Sequence, residues 1–378
     1  MSAPRLLLPP NGYAQWAVPP EDGLSRAEWR QIQNAVGDSP SALQFCLPVP
    51  FEEEIEGEAG GAAIFEKTYT ALENSAVYKL PRGGMYVKRK RKGETRRGVV
   101  LQTDLEALSD DGTGSVLSPR PDEARVKRLV ERQRDAVAEF FCATVLYRDK
   151  RDRAVKILED EELEKAYGFD LLAGGGRVTG HFLPFDVLDI VTEYFYSRTE
   201  PSFLALDGVN ELWAAKRRWD TLKAKLPARE QAYHPARYAL IELVNFYGEG
   251  VRFLPVHRGV RGVEREAFYD SMKGKFPLKR EGELWKANFG FERAGELDEE
   301  IGRFIKQNGG SLLYFTSAKE FESFLREEDT AGIAMAAVGE EAVLERWKKG
   351  RAFPARALQL GAEKDRRYYL EGKETSYD

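Results

Sequence analysis

The stretch from His234 to Arg258, HPARYALIELVNFYGEGVRFLPVHR, constrains the fold most, because it carries the signals of a complete supersecondary unit. His234 precedes Pro235, and proline suits a first helical position, whose N–H would lack a partner in any case. Ala239, Leu240, Leu243 and Val244 then fall at helical spacing, which predicts a helix with one apolar face. Gly248 and Gly250 end it, and Val251 to Val256 predicts a strand. That strand would deliver His257 and Arg258 together at its end, where α/β proteins often place ligand contacts. His257 is thus a candidate proton shuttle, with Arg237 and Arg258 candidate contacts for an anion. The structural alternatives are a helix cap for His234, a hydrogen-bonded core imidazole for His257 and an ion pair for Arg237.

The remaining periodicities predict a mixed α/β (α+β) chain in two lobes: a main lobe over residues 1–262 holding the candidate site, and a smaller C-terminal α/β lobe over 263–378. Ser25 and Glu28 form a capping box for a helix over Arg26 to Val36. Ala42 to Pro48 reads as a buried strand, Phe51 to Gly61 as a surface loop and Ile64 to Glu73 as a helix. Tyr86 to Lys90 and Arg96 to Gln102 predict a hairpin around Lys92-Gly93-Glu94. Its basic run, KRKRKGETRR, reads as the solvated face of an edge hairpin, with phosphate contact as the alternative. Helices are expected over Glu123 to Phe141 and Val155 to Ala166, and a strand over Ala143 to Tyr147. Beyond Arg261, helices over Glu296 to Lys306, Ser317 to Arg326 and Glu340 to Lys348 alternate with strands at Ser311 to Phe315 and Ala331 to Val338. That alternation predicts a parallel sheet. The closing strand is expected to return to an earlier sheet.

Two glycine turns are candidate ligand contacts. Gly174, Gly175 and Gly176 free the backbone for positive φ and could form a nest of N–H groups for phosphate, or equally a tight hairpin turn. Phe203 to Leu206 reads as a buried strand running into Asp207-Gly208-Val209-Asn210 and a helix from Glu211 to Lys225. Gly208 would bring backbone N–H groups to a helix start. Asp207 could hold a metal or a hydroxyl, and Asn210 could bind ligand or simply cap the helix.

The balance of 57 basic against 62 acidic residues, net charge −5, gives no overall pull toward nucleic acid. Cys46 and Cys142 stand far apart, with no zinc spacing, and read as two free thiols of a reducing compartment. No apolar run is long enough to span a bilayer, and the leucines at Leu6 to Leu8 are too few for a signal peptide. A cytoplasmic protein is expected.

Taken in order, WAV with Asp22, GDSPSAL, FDLLAGGG, LALDGVNELWAAK, HPARYALIELVN, PVHR and GAEKDRRYYLE resemble a prokaryotic family, domain-of-unknown-function family 1015, over nearly the whole chain. The Asp-Gly turn of that family is similar to the phosphate-handling motif of the ParB and sulfiredoxin superfamily, which includes kinases acting on free serine. The resemblance implies a ParB/sulfiredoxin-like main lobe and a nucleotide or phosphate site at Gly208, using ADP or ATP with Mg. In a phosphotransferase Asp207 or Asp22 would hold Mg or deprotonate the acceptor. The chain departs from the family pattern at Asn210 and Arg177, where histidines are usual, and at Ala355. An amide cannot replace an imidazole as acid or base. Two readings follow: a phosphotransferase acting on a small hydroxylated metabolite, or a divergent non-catalytic member that binds a ligand or is structural. A DNA-partitioning adaptor lacks a basic recognition helix.

Overall fold

The computed structural model describes residues 1–54, 66–67, 69–74, 76–197 and 203–376. The expected loop at Phe51 to Gly61 and helix at Ile64 to Glu73 therefore lie partly outside the described residues. The chain forms two compact units, residues 1–251 with 363–378, and residues 252–362. The mixed α/β class stands, with helices packed on a large mixed sheet.

The first unit's strands are β1 (Arg5–Leu8), β2 (Tyr78–Arg91), β3 (Glu94–Asp104), β4 (Leu108–Ser109), β5 (Val116–Leu117), β6 (Ala138–Glu139), β7 (Ala143–Tyr147), β8 (Lys165–Leu171), β9 (Gly176–Pro184), β10 (Phe203–Asp207) and β11 (Tyr238–Asn245). The main sheet runs β4-β5-β10-β7-β11-β3-β2-β9-β8, with β1 added to β2. β2 and β3 meet across Lys92 and Gly93, both at positive φ (50° and 87°), the two-residue turn that suits the twist of paired strands. The capping box at Ser25 is formed, and its helix covers Arg26–Val36.

Three local expectations are corrected. Tyr238 to Asn245 is not a helix but the strand β11, antiparallel to β3 and parallel to β7. Every residue from Ala239 to Asn245 is buried, so the segment is apolar on both faces, a pattern in which strand and helix cannot be told apart by period alone. Glu242 mimicked the polar face of a helix; it is buried, and ion-paired with Arg96 and Arg367. Ala42 to Pro48 is not a strand: Ser41 accepts from the Leu43 amide and starts a 3-10 turn over Ala42–Phe45. The basic run is only partly solvated. β2 is paired on both sides, by β3 and β9, and Arg89 and Arg96 are buried.

The second unit's strands are β12 (Phe253–Pro255), β13 (His257–Arg261), β14 (Leu278–Glu281), β15 (Leu284–Ala287), β16 (Ser311–Phe315), β17 (Thr330–Ile333) and β18 (Leu358–Leu360). Helices Ala294–Asn308, Ala318–Phe324 and Glu340–Lys348 lie where the spacing put them, but the expected parallel sheet is absent. β13 sits between β16 and β17 and is antiparallel to both. The helix between β16 and β17 does carry the chain between like-directed strands, yet β13 occupies the gap. The ends of this unit are tied together: β12 pairs with β18, and the Gly361 amide donates to the Arg252 carbonyl at 2.8 Å.

Residues 363–376 then return to the first unit, where β19 (Lys373–Glu374) pairs with β6. Arg89 holds this segment through its backbone, its guanidinium donating to the carbonyls of Lys364, Asp365 (3.1 Å) and Arg366 (2.5 Å). Arg367 lies buried between Glu242 (3.3 Å) and Glu371. Removing one partner of a buried ion pair leaves an uncompensated charge, at a cost of about 3–5 kcal/mol. Arg367→Ala is therefore expected to lower unfolding free energy by about that amount in urea titrations. A loss below about 1 kcal/mol would show that the returning segment does not lock the sheet by charge.

Candidate functional site

The start of the helix Val209–Lys223 brings together Asp207, Gly208 and Asn210, and through Arg366 also Asp22. β10 brings Asp207 to the end of the sheet, and Gly208 turns the chain with φ 73°. A side chain at Gly208 would run into Ala143, with Cβ 2.9 Å from the Ala143 Cα, so glycine is required for packing as well as for φ. No side chain caps the first helical turn.

Asp207 is fully engaged. Its Oδ1 accepts from Arg366 Nε at 2.7 Å and its Oδ2 from the Arg367 amide at 3.0 Å. Arg366 also donates to Asp22 (2.6 Å) and to Glu363 (3.3 Å). Asp22 and Asp207 thus share one guanidinium, which takes the place a divalent ion between them would fill. Among the described residues no group of three or more His, Cys, Asp or Glu could hold a metal ion. The residues present do not fit Mg at this corner.

Asn210 points its Oδ1 at the Asp122 amide, 2.9 Å away, and so ties this turn to the start of the helix Glu123–Arg132. Gly174, Gly175 and Gly176 lie in the connection between β8 and β9. There the Gly175 carbonyl accepts from Arg89 Nε at 2.8 Å, and a Cβ on Gly175 would strike the Tyr368 ring at 2.7 Å. Tyr368 in turn donates to the Leu172 carbonyl at 2.7 Å. The returning segment therefore touches both glycine turns: Tyr368 packs on Gly175, and Arg366 and Arg367 bind Asp207.

The other candidates are placed elsewhere. Arg237 forms a two-pronged pair with Asp104, at 3.0 and 2.6 Å. His234 accepts from the Ala236 amide at 3.2 Å and starts a single 3-10 turn. His257 and Arg258 belong to the second unit. Arg258 is fully buried, paired with Asp298 at 2.7 Å and bonded to the carbonyls of Val256 and Arg356. His257 Nδ1 accepts from the Met335 amide at 3.0 Å, and burial with Arg258 alongside pulls its imidazole down to about 4.

Residues given no role from sequence dominate the surroundings of the helix start. Glu21 is buried, holding Arg132 at 2.7 Å, Arg125, and the Leu47 amide at 2.8 Å. Glu211, in the first helical turn, is 4% exposed. Its hydrogen bond among the described residues comes from the Tyr369 hydroxyl at 3.4 Å, and no cation is within ion-pair distance. A cavity of about 20 Å³ opens beside it, lined in part by Glu21, Cys46, Gln133, Glu139, Arg218 and Tyr369.

The chain belongs to the family described as "Protein of unknown function (DUF1015)", whose model matches residues 5–349. Among curated proteins, none matches. A conserved hypothetical protein from Pyrococcus furiosus is similar in structure at 10% identity, covering 73% of this chain and 95% of that one, with a TM-score of 0.41. Free serine kinase in complex with AMP is similar at 9% identity, 73% and 91% coverage and a TM-score of 0.41. A variant of free serine kinase in complex with ADP gives 10%, 73%, 92% and 0.42. Similarity at this level assigns no activity to the chain. Among the described residues no helix is long and apolar enough to cross a membrane.

Burial, then the nearby charges of Asp22 and Glu21, push the Glu211 carboxyl up to about 7, against the opposing pull of Arg125 and Arg366. A carboxyl whose folded pKa is raised from 4.5 to about 7 keeps its proton longer in the folded state. Stability therefore falls as pH rises from about 4.5 to about 7 and is level above that, the total drop being about 3 kcal/mol. Glu211→Gln is expected to flatten this stretch of the stability-against-pH curve and to raise the melting temperature at pH 8. An unchanged curve would mean that Glu211 is ionised at little cost.

Proposed function

We propose that the first unit binds a nucleotide or another phosphorylated small molecule at the start of the helix Val209–Lys223, as a non-catalytic binding protein. The observation that carries this reading is the first helical turn itself, whose amides follow a left-handed Gly208 and carry no side-chain cap. Such a turn offers N–H donors and the positive end of a helix dipole to an oxygen anion. Arg366 adds a positioned guanidinium next to it, held by three carboxylates.

Binding without phosphoryl transfer is the version these contacts favour. Transfer depends on neutralising charge and on a base that orients the acceptor. Both Asp207 oxygens are already bonded, and Asn210 is an amide bonded to Asp122. The phosphotransferase reading would need Asp207 to leave Arg366.

A ligand at a hundred times its Kd stabilises the folded state by about 2.7 kcal/mol, which shifts melting by several degrees. ADP, ATP or AMP at millimolar concentration is expected to give such a shift, with no phosphate transfer to free serine or other hydroxy compounds. Val209→Asp places a competing carboxylate over the first-turn amides and is expected to remove most of the shift. If no nucleotide or phosphate ester moves the melting temperature, the reading is wrong. If ATP is turned over, the phosphotransferase version replaces it.

A further inference from the structure

Among the described residues the buried glutamates of the first unit's interior are each paired with a cation, with one exception. Glu21 faces Arg125 and Arg132; Glu242 faces Arg96 and Arg367; Asp207 faces Arg366. Glu139 lies 3.5 Å from Lys373 and 3.9 Å from Arg218. Glu211 is as deeply buried as these, yet among the described residues it has no cationic partner and only the long hydrogen bond from Tyr369.

The cavity beside Glu211 shows what kind of partner is missing. Gln133 Oε1 is a wall atom buried without a hydrogen bond among the described residues, and Glu139 Oε1, also without one, has the Lys373 ammonium 3.5 Å away. With the Glu211 carboxylate these are acceptors, while Arg218 brings one guanidinium to the same wall. Buried acceptors without donors are costly, at about 1–3 kcal/mol each. Its volume, about 20 Å³, admits one guest the size of a water molecule. Water brings two donors and no charge; an ammonium group brings three or four donors and the positive charge that Glu211 lacks.

We propose that this cavity is a binding site for a small ammonium-class cation, either NH4⁺ itself or the primary ammonium end of an amine. The guest donates to Gln133 Oε1 and the Glu211 carboxylate, and gives Glu211 the cation that the other buried glutamates have. Arg218 on the same wall disfavours a second cation, and the Tyr369 hydroxyl keeps its hydrogen bond to the carboxylate. Burial of Glu211, which pushes its carboxyl upward, makes the empty site hold a proton below about pH 7. A cation is therefore bound best above that pH. This site is independent of the nucleotide reading, since it needs no ligand at the first-turn amides.

The test is thermal unfolding of the full chain at pH 8 without nucleotide, in ammonium, methylammonium, potassium or tetramethylammonium chloride at equal ionic strength. Ammonium is expected to raise the melting temperature by several degrees over tetramethylammonium, which is too large for the cavity, and over potassium, which has no N–H donors. A shift by methylammonium equal to that of ammonium identifies the end of an amine as the guest; a shift by ammonium alone identifies the free ion. Glu211→Gln keeps the side-chain volume but removes the charge, and is expected to abolish the ammonium-specific shift. Gln133→Met, which removes one acceptor away from Glu211, is expected to reduce it by at least half and serves if the first variant does not fold. Equal melting in all four salts, or a full shift retained by either variant, overturns the proposal.

Discussion

The ion pairs made by the returning C-terminal segment hold the first unit together. Arg366 joins Asp22 near the chain start, Asp207 at the end of a central strand and Glu363 of its own segment. One residue on, Arg367 binds Glu242 in β11 and Glu371. From the sheet side, Arg89 reaches three successive carbonyls of the same segment. Because residues 252–362 form a unit of their own, the first unit is completed only after the chain has passed through that excursion. Contacts of such long sequence separation slow folding, since loop closure precedes the interactions that reward it.

Paired charges of this kind are a demanding way to fill an interior. Desolvating each ion costs several kcal/mol, and the attraction offsets this only when geometry and further hydrogen bonds are good. Two of the carboxylates meet that condition through the backbone: Asp207 also takes the Arg367 amide and Glu21 the Leu47 amide. The gain is in register, because an apolar tail could slide along the sheet whereas a run of Arg366, Arg367 and Glu371 fits its partners in one position. Against that background a lone carboxyl such as Glu211 stands out, and its shift toward neutrality is the physical result first of burial and then of the negative charge of Asp22.

What the sequence revealed and what it hid follow from the range of the interactions. The capping box at Ser25, the turn at Lys92-Gly93 and the strand, glycine turn and helix from Phe203 onward are set by neighbours within a few residues, and all were legible. β11 was misread because burial on both faces erases the alternation that marks a strand. The antiparallel second unit was misread because β13 precedes the strands it separates, and helix–strand alternation says nothing about an earlier strand inserted between them. The roles of Arg89, Arg96 and Arg366 are invisible in sequence because a basic residue looks the same whether it meets water or a buried carbonyl or carboxylate more than a hundred positions away.

The glycines show why a motif and a ligand site must be argued separately. Gly175 lets the Tyr368 ring approach, and Gly208 lets Ala143 pack while holding φ 73°; each glycine is explained without any ligand. The same holds for Asn210, whose amide secures the neighbouring helix start. What packing does not account for is narrower: a first helical turn with no side-chain cap among the described residues, and a buried carboxyl beside a cavity that holds the unbonded Gln133 Oε1. An uncapped turn calls for an anion and an unpaired carboxylate for a cation, and the two lie within one turn of a single helix. Opposite needs so close together are met at least cost when each is answered by its own partner, because a guest satisfying only one would leave the other charge uncompensated in a low-dielectric interior.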